Sequence, residues 1–161
     1  MHKNDIKQCF KKFIAGITVL LTEDEENDFK GMTCTAFSAV SLEPPLVLNC
    51  LNKSSKTNKK LLENEIYTIS ILNENQEMIA NHFAGITNKD WQNDKYIEKI
   101  SNNQYIVKDS LAYFICKKDK VIDAGDHNIF IGEIIDCNFL NNDLMPLSYF
   151  QSTYTKIKPL K

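Results

Sequence analysis

Apolar positions along the chain recur with two different periods, and the changes between them divide it into short elements. Residues 5 to 14 set Ile6, Phe10, Phe13 and Ile14 at helical spacing with Lys7, Lys11 and Lys12 between them, which predicts an amphipathic opening helix ending near Gly16. Ile17 to Thr22 is β-branched and apolar, Glu23 to Asp28 is a charged turn and Phe29 to Ser41 is long and mixed. Together they predict a hairpin. Leu46 to Leu51 reads as an apolar, fully buried strand. Helix formers with Leu61 and Leu62 on one face fill Lys56 to Asn64, and alternation returns from Ile66 to Leu72.

Asn75 to Phe83 predicts another helix, with Met78, Ile79 and Phe83 on its apolar side and Gly85 as its stop. Asn88 to Asn103 reads as a long polar loop carrying Trp91, Tyr96 and Ile100 as anchors. Leu111 to Cys116 and Val121 to Asp123 are predicted to form a hairpin around Lys117 to Lys120. His127 to Leu140 is a long strand bent at Gly132, and Leu147 to Phe150 and Tyr154 to Ile157 close the chain. Many short strands with irregularly inserted helices oppose a βαβ rhythm. The expected fold is mainly β, a closed antiparallel barrel with peripheral helices.

Composition narrows the classes of function. With 161 residues, 43% hydrophobic and 25% charged, the chain fits one domain with a substantial core, spanning residues 1 to 161. A net charge of -2 and the lack of a basic block disfavour nucleic-acid binding. No apolar run approaches the roughly 18 to 20 residues that cross a bilayer, so a soluble, cytoplasmic protein is expected. Cys9, Cys34, Cys50, Cys116 and Cys137 are scattered and read as reduced core thiols, with Cys34 placed where exposure is conceivable. Only His2, His82 and His127 carry imidazoles, none in ligand spacing, so no zinc site or disulfide scaffold is expected.

The common nucleotide and hydrolase signatures are missing: no Gly-x-Gly-x-x-Gly, no Gly-x-x-x-x-Gly-Lys-Ser/Thr and no Gly-x-Ser-x-Gly occurs. What remains is the turn Asn52-Lys53-Ser54-Ser55-Lys56-Thr57 before a helix, where backbone N–H groups, hydroxyls and two cations converge. Beside it Thr33, Thr35, Ala36, Ser38 and Ala39 make a strand of small and hydroxyl side chains with accessible backbone. The pair suggests a ligand with a flat head and an anionic tail. Two plainer readings stay open: a capped helix with solvated lysines, and an edge strand with one wet face.

Phe13-x-x-Gly16-x-Thr18-Val19, Gly31-Met32-Thr33, Phe37, Val40-Ser41-Leu42-x-Pro44-Pro45-Leu46-Val47 and Asn52-x-Ser54-Ser55-Lys56-Thr57 follow one another in an order that resembles the flavin reductase family with the FMN-binding split-barrel fold. Phe83-Ala84-Gly85, Gly125-Asp126-His127-x-Ile129-Phe130-Ile131-Gly132-Glu133 and Pro146-Leu147-x-Tyr149-Phe150 continue the series, so the resemblance runs from about Cys9 to Tyr154. It implies a homodimeric, six-stranded antiparallel split barrel that binds FMN or FAD. The implied activity is hydride transfer from NADH or NADPH to the flavin, with reduced flavin passing to a partner monooxygenase. An FMN-binding electron carrier of the same fold is the alternative, and a non-flavin barrel module a third.

Carried onto this chain, the resemblance lays the flavin ring against Thr33, Cys34, Thr35, Ala36, Phe37 and Ser38, chiefly through backbone. Asn52, Ser54, Ser55, Lys56 and Thr57 hold the phosphate. His127 faces the nicotinamide as the catalytic candidate, Tyr154 closes over the site, and Phe83 packs in the core or at the flavin edge. Asp126 caps its turn or pairs with His127, and His82 is expected to be solvated. Direct hydride transfer asks the protein for positioning and water exclusion, not for an acid or base. Thr35 and Ala36 stand where many members of the family carry Asn and Ser, Asp90-Trp91 where a basic residue and Phe are frequent, and Ser152 where Gly is frequent.

Overall fold

The computed structural model describes residues 2–25, 28–86, 91–101 and 104–160. Among the described residues twelve strands and four helices follow one another: α1 (Lys3–Phe10), β1 (Ala15–Gly16), β2 (Thr18–Glu23), β3 (Phe29–Cys34), β4 (Phe37–Leu42), β5 (Pro45–Asn52), α2 (Lys56–Glu63), β6 (Ile66–Ile71), α3 (Glu77–Phe83), α4 (Asn93–Tyr96), β7 (Ile97–Ser101), β8 (Gln104–Val107), β9 (Ala112–Ala124), β10 (His127–Phe139), β11 (Leu147–Phe150) and β12 (Thr153–Lys156). The principal sheet has the order β3-β2-β6-β9-β10-β5-β4, every described neighbour pair antiparallel.

β3 and β4 stand at opposite ends of that order although only Thr35 and Ala36 separate them in the chain. The two ends of the sheet are therefore one strand, kinked at Thr35–Ala36, and the sheet closes on itself. Counted this way the barrel has six staves, and the single long strand expected from Phe29 to Ser41 is present with a kink. Closure continues across the kink, where the Cys50 N–H donates to the Ala36 carbonyl at 3.1 Å.

β2 explains its unbroken apolar run by being buried on both faces. Leu20 points into the barrel with Cys34, Val47, Leu51, Tyr67, Ile69, Cys116 and Phe130, and Leu61 of α2 plugs the same interior. Val19 and Leu21 point outward into a second core with Ile79 and Ala80 of α3 and Ile97, Tyr105 and Val107 of the β7–β8 hairpin. Burying one such aliphatic side chain contributes about 1.5–3 kcal/mol. β5 departs from the expected fully buried strand: Val47, Asn49 and Leu51 alternate with half-buried neighbours.

Two further expectations are corrected. Lys117 to Lys120 is not a turn; β9 runs on to Ala124, and the hairpin with β10 turns at Gly125–Asp126, where Gly125 has φ +65°. β6 pairs with β9 only as far as Lys117; Lys118 turns back and donates its ammonium to the Leu61 and Leu62 carbonyls at the end of α2, while Asp119 and Lys120 are exposed, so the charges are accommodated without breaking the strand. The expected bend at Gly132 is present as a register shift between Ile131 and Gly132. The loop expected from Asn88 to Asn103 contains α4 and β7 among its described residues. Tertiary bonds hold the β7–β8 hairpin down: the Thr68 hydroxyl donates to the Tyr105 carbonyl, and the Val107 N–H donates to Ser70 Oγ at 3.0 Å. Asp90 lies outside the described residues.

The opening helix is shorter than expected and ends at Phe10. None of its residues is buried, and Phe10 and Phe13 are 73% and 79% exposed. Ile6 is half-buried, but among the described residues Phe10 and Phe13 join neither core cluster.

Candidate functional site

Asn52 ends β5 and organises the turn after it. Its Oδ1 accepts from the Ser54 N–H at 2.9 Å and from the Ser54 hydroxyl at 2.7 Å, while the Ser55 N–H donates to its carbonyl at 3.0 Å. Ser55 caps α2, its Oγ accepting from the Asn58 N–H at 3.1 Å. Thr57 is buried and donates its hydroxyl to the Gly31 carbonyl at 2.9 Å, tying α2 to β3. The side chains of Asn52, Ser54, Ser55 and Thr57 thus shape the turn from within.

Three donors remain for an anion. Among the described residues, the N–H groups of Lys56 and Thr57 have no hydrogen-bond partner, and the exposed Lys56 ammonium meets no carboxylate. They stand at the positive end of an eight-residue helix, where unsatisfied N–H groups and the helix dipole favour negative charge.

His127 opens β10 directly across the ladder from Asn52. Its Nδ1 lies 2.7 Å from Asp126 Oδ1, and this hydrogen bond, with the imidazole's charge beside it, holds the Asp126 carboxyl below the usual carboxylate range. The expected Asp126–His127 pairing is present. His127 therefore belongs to the turn end of the site and not to the cleft described next.

The cleft lies at the β3–β4 kink. Thr35 and Ala36 are exposed, and neither donates its N–H to another backbone group among the described residues. A cavity of about 390 Å³ is lined by Thr33, Thr35, Asn81, Ala84, Tyr149 and Tyr154 among others. A second, of about 730 Å³, lies between the kink, Phe10 and Phe13 of the opening segment, and the β11–β12 turn. Thr35, Tyr149 and Ser152 wall both, so the two form one bipartite cleft of the size that takes small ligands. Tyr154 is half-buried with its ring 5.4 Å from that of Tyr149, and burial raises its phenol pKa.

Thr33 spends its hydroxyl on the Ala80 carbonyl at 2.7 Å, Phe37 stacks on Phe114 with ring centroids 5.9 Å apart, and the exposed Ser38 bonds locally to the Ala39 carbonyl. Cys34 is buried in the barrel, not exposed; burial, with Cys50 nearby, pushes its thiol up to about 12. Its side chain is neither nucleophile nor ligand, which leaves its backbone. Cys116 is also buried, but Cys9 and Cys137 are exposed, correcting the expectation that all five are core thiols.

Phe83 belongs to a third group. Its ring lies against Gly31, where an added Cβ would collide with it, and meets Trp91 edge-on at 5.5 Å. His82 is not simply solvated: it stacks on Trp91 at 3.5 Å with an interplanar angle of 8°, and burial holds its pKa below the ordinary value. Gly31 thus receives the Thr57 hydroxyl at its carbonyl and Phe83 at its Cα. Tyr149, Asn81 and the β11–β12 turn escaped the sequence reading as cleft walls; only the Pro-Leu-x-Tyr-Phe motif hinted at the first.

The donors fit a ligand with a phosphate and a flat, polar-edged ring: free N–H groups and Lys56 suit the one, the open kink beside the cleft suits the other. A closed antiparallel barrel with such a kink defines the class, a split-barrel protein of the flavin-binding type. The family model for the flavin reductase like domain matches residues 10–158, and the chain belongs to that family. The reductase component of 4-hydroxyphenylacetate 3-monooxygenase from Thermus thermophilus is 33% identical over 155 residues, 96% of this chain and 97% of that one. The NADH-dependent flavin reductase StyB from Pseudomonas fluorescens is 30% identical over 151 residues, covering 91% and 87%. Among solved structures, flavin reductase PheA2 in its native state superposes with a TM-score of 0.88 at 32% identity, covering 99% of this chain and all of that one.

Proposed function

We propose that this chain is an NAD(P)H-dependent flavin reductase that supplies reduced FMN or FAD to a partner monooxygenase. The observation that carries the reading is the pairing of an anion-ready helix start with an unbonded strand kink that opens onto a cleft. Among the relatives, StyB is NADH-dependent and the Thermus protein is a monooxygenase's reductase component, which makes NADH the first donor to test. Bound there, a flavin would supply the ring that takes up the hydride.

The protein's part is positional. The Lys56 and Thr57 N–H groups and the Lys56 ammonium hold the phosphate, and the Thr35 and Ala36 N–H groups meet the polar edge of the ring. Tyr149 and Tyr154 wall off water, and His127 orients the donor nucleotide from the turn end. Phe83 supports the strand from behind through Gly31. As part of the same proposal the chain works as a homodimer in the cytoplasm. Leu42, Phe13 and Phe139, at 93%, 79% and 77% exposed, supply apolar surface for a second copy. Among the described residues no helix is long and apolar enough to cross a membrane.

Oxidation of NADH and of NADPH, each followed with FMN and with FAD, tests the reading. Turnover with at least one pair is expected; none with all four overturns it. A yellow protein holding one flavin per chain without turnover would establish the electron-carrier alternative instead.

A further inference from the structure

The Lys53 side chain turns away from the anion-ready helix start. Its ammonium donates to Asp123 Oδ2 at 2.7 Å and to the Gly125 carbonyl at 2.7 Å, both on the tip of the β9–β10 hairpin. Its own N–H donates to the Asp126 carbonyl at 3.0 Å. The next residue along the hairpin is His127, paired in the ladder with Asn52. Lys53 is thus the junction at which the turn grips the loop that carries the imidazole.

The ladder pairs β10 with β5 as far as His127–Asn52, but among the described residues the β9 side of the tip and the turn beyond it have few other supports. β6 pairs with β9 only as far as Lys117, so residues 118–124 of β9 have β10 as their single described neighbour in the sheet. The tip residues Asp123, Gly125 and Asp126 are exposed. A surface ion pair such as Lys53–Asp123 adds little to stability by itself, typically about 0–1 kcal/mol. Its effect here is geometric: the ladder places the His127 backbone, and one ammonium bonded to two atoms of the tip fixes the Gly125–Asp126 corner whose carboxylate holds the His127 ring.

We propose that Lys53 is a positioning residue that steadies the Asp126–His127 corner, and with it the imidazole ring, against the phosphate-binding turn, so that an occupied turn and a well-placed imidazole are one mechanical unit. This rests on the reading of His127 as the group that meets the donor nucleotide. Lys53 itself contacts neither ligand. The inner ties of the same region do not use its ammonium: Asn128 Nδ2 donates to Asn58 Oδ1 at 3.0 Å, and Asn58 Nδ2 donates to the Lys53 carbonyl at 3.4 Å. Removing the ammonium therefore loosens the tip while the turn keeps its shape.

The test measures steady-state KM and kcat for NADH, and FMN affinity by fluorescence titration, in the variants Lys53→Met, Lys53→Arg, Asp123→Asn and His127→Ala and in the double variant Lys53→Met/His127→Ala. Small misplacements of a positioning group cost up to about a hundredfold; Lys53→Met is expected to raise KM for NADH about fivefold to tenfold with FMN affinity changed less than about twofold. Lys53→Arg, which reaches both acceptors, restores most of the loss, and Asp123→Asn gives a smaller one. The double variant is no worse than His127→Ala alone, the non-additivity expected of a shared path.

If His127→Ala leaves KM for NADH unchanged, the reading of His127 fails and the proposal with it. If His127→Ala raises KM while Lys53→Met does not, or if the two losses multiply in the double variant, the reading stands and the proposal is overturned. A parallel fall in FMN affinity in Lys53→Met also overturns it, by placing Lys53 on the phosphate. Should Lys53→Met fail to fold, Asp123→Asn decides the matter, since it weakens the same junction from the other side.

Discussion

Around Asn52 to Thr57 nearly every polar side chain is spent on the protein itself, and three donors are left pointing outward. Around Thr35 and Ala36 the walls are Phe10, Phe13, Tyr149 and Tyr154, and they enclose cavities. The first region is preorganised: internal bonds fix its shape before any ligand arrives, which lowers the ordering cost of binding. The second is built from exposed aromatic surface and a turn with two left-handed residues, so its final form depends on what fills it. A site divided this way separates affinity, set at the rigid end, from reactivity, set where two rings must meet.

The hardest blow to the contrast falls at Gly31, where both regions lean on one residue. Gly31→Val drives side-chain atoms into Phe83 and Leu21, and overpacking of this kind costs about 3 kcal/mol. A denaturant midpoint lowered to match is expected; an unchanged midpoint would mean that the Phe83 packing is soft. Next comes Lys56→Ala, expected to weaken flavin binding by about 2 kcal/mol, the worth of a charge-assisted bond. Ser54→Ala should add little, because that hydroxyl already serves Asn52. A titration in which Ser54→Ala matters as much as Lys56→Ala would show that the turn rearranges on binding.

At the cleft end, Gln151 and Ser152 hold φ of +50° and +66° in a two-residue hairpin turn, conformations that Asn and Gly adopt without strain. Gln151→Asn with Ser152→Gly is expected to stabilise the fold by about 1 kcal/mol, read as a higher melting temperature. If KM for flavin or NADH rises at the same time, the strained tip takes part in the cleft's adjustment.

The smallest effect concerns His82. Its imidazole pKa is depressed in the folded protein, so its contribution to stability is present above the ordinary value of 6.5 and is lost as pH falls through the lower folded value. Melting temperatures taken from about pH 7 down to about pH 5 should fall less steeply in His82→Phe than in the parent. Equal slopes would place the imidazole in water.

Much of this could be read before any coordinates. The turn from Asn52 to Thr57 was legible because cap, hydroxyls and lysines are neighbours in sequence and act through local bonds. The strands from Ile17 to Leu72 were legible through alternation and turn residues. Lys117 to Lys120 misled because four consecutive polar residues signal a turn, whereas here β9 runs past the end of β6 and Lys118 is satisfied by carbonyls at the end of α2, far away in sequence. The β7–β8 hairpin was hidden because its stability comes from Thr68 and Ser70, more than thirty residues away. The meeting of His127 with Asn52 is a matter of sheet register across 75 positions, which no local pattern encodes. Lys53 looked like a second phosphate cation; only the distances reveal its attachment to the hairpin tip.

The kink between β3 and β4 bears on more than binding. A sheet that ends in open air offers rows of unpaired N–H and C=O groups to any neighbouring chain, the usual start of strand-by-strand aggregation. Here both ends of the sheet are the same strand, and the flank of β3 is blunted by the Thr57 hydroxyl on the Gly31 carbonyl and by Thr33 reaching to Ala80 of α3. The backbone left open at the kink is two residues long. That is enough to grip the edge of a ring and too short to template another strand, whereas the outer edge of β4, which among the described residues pairs only with β5, is the stretch left for a second copy.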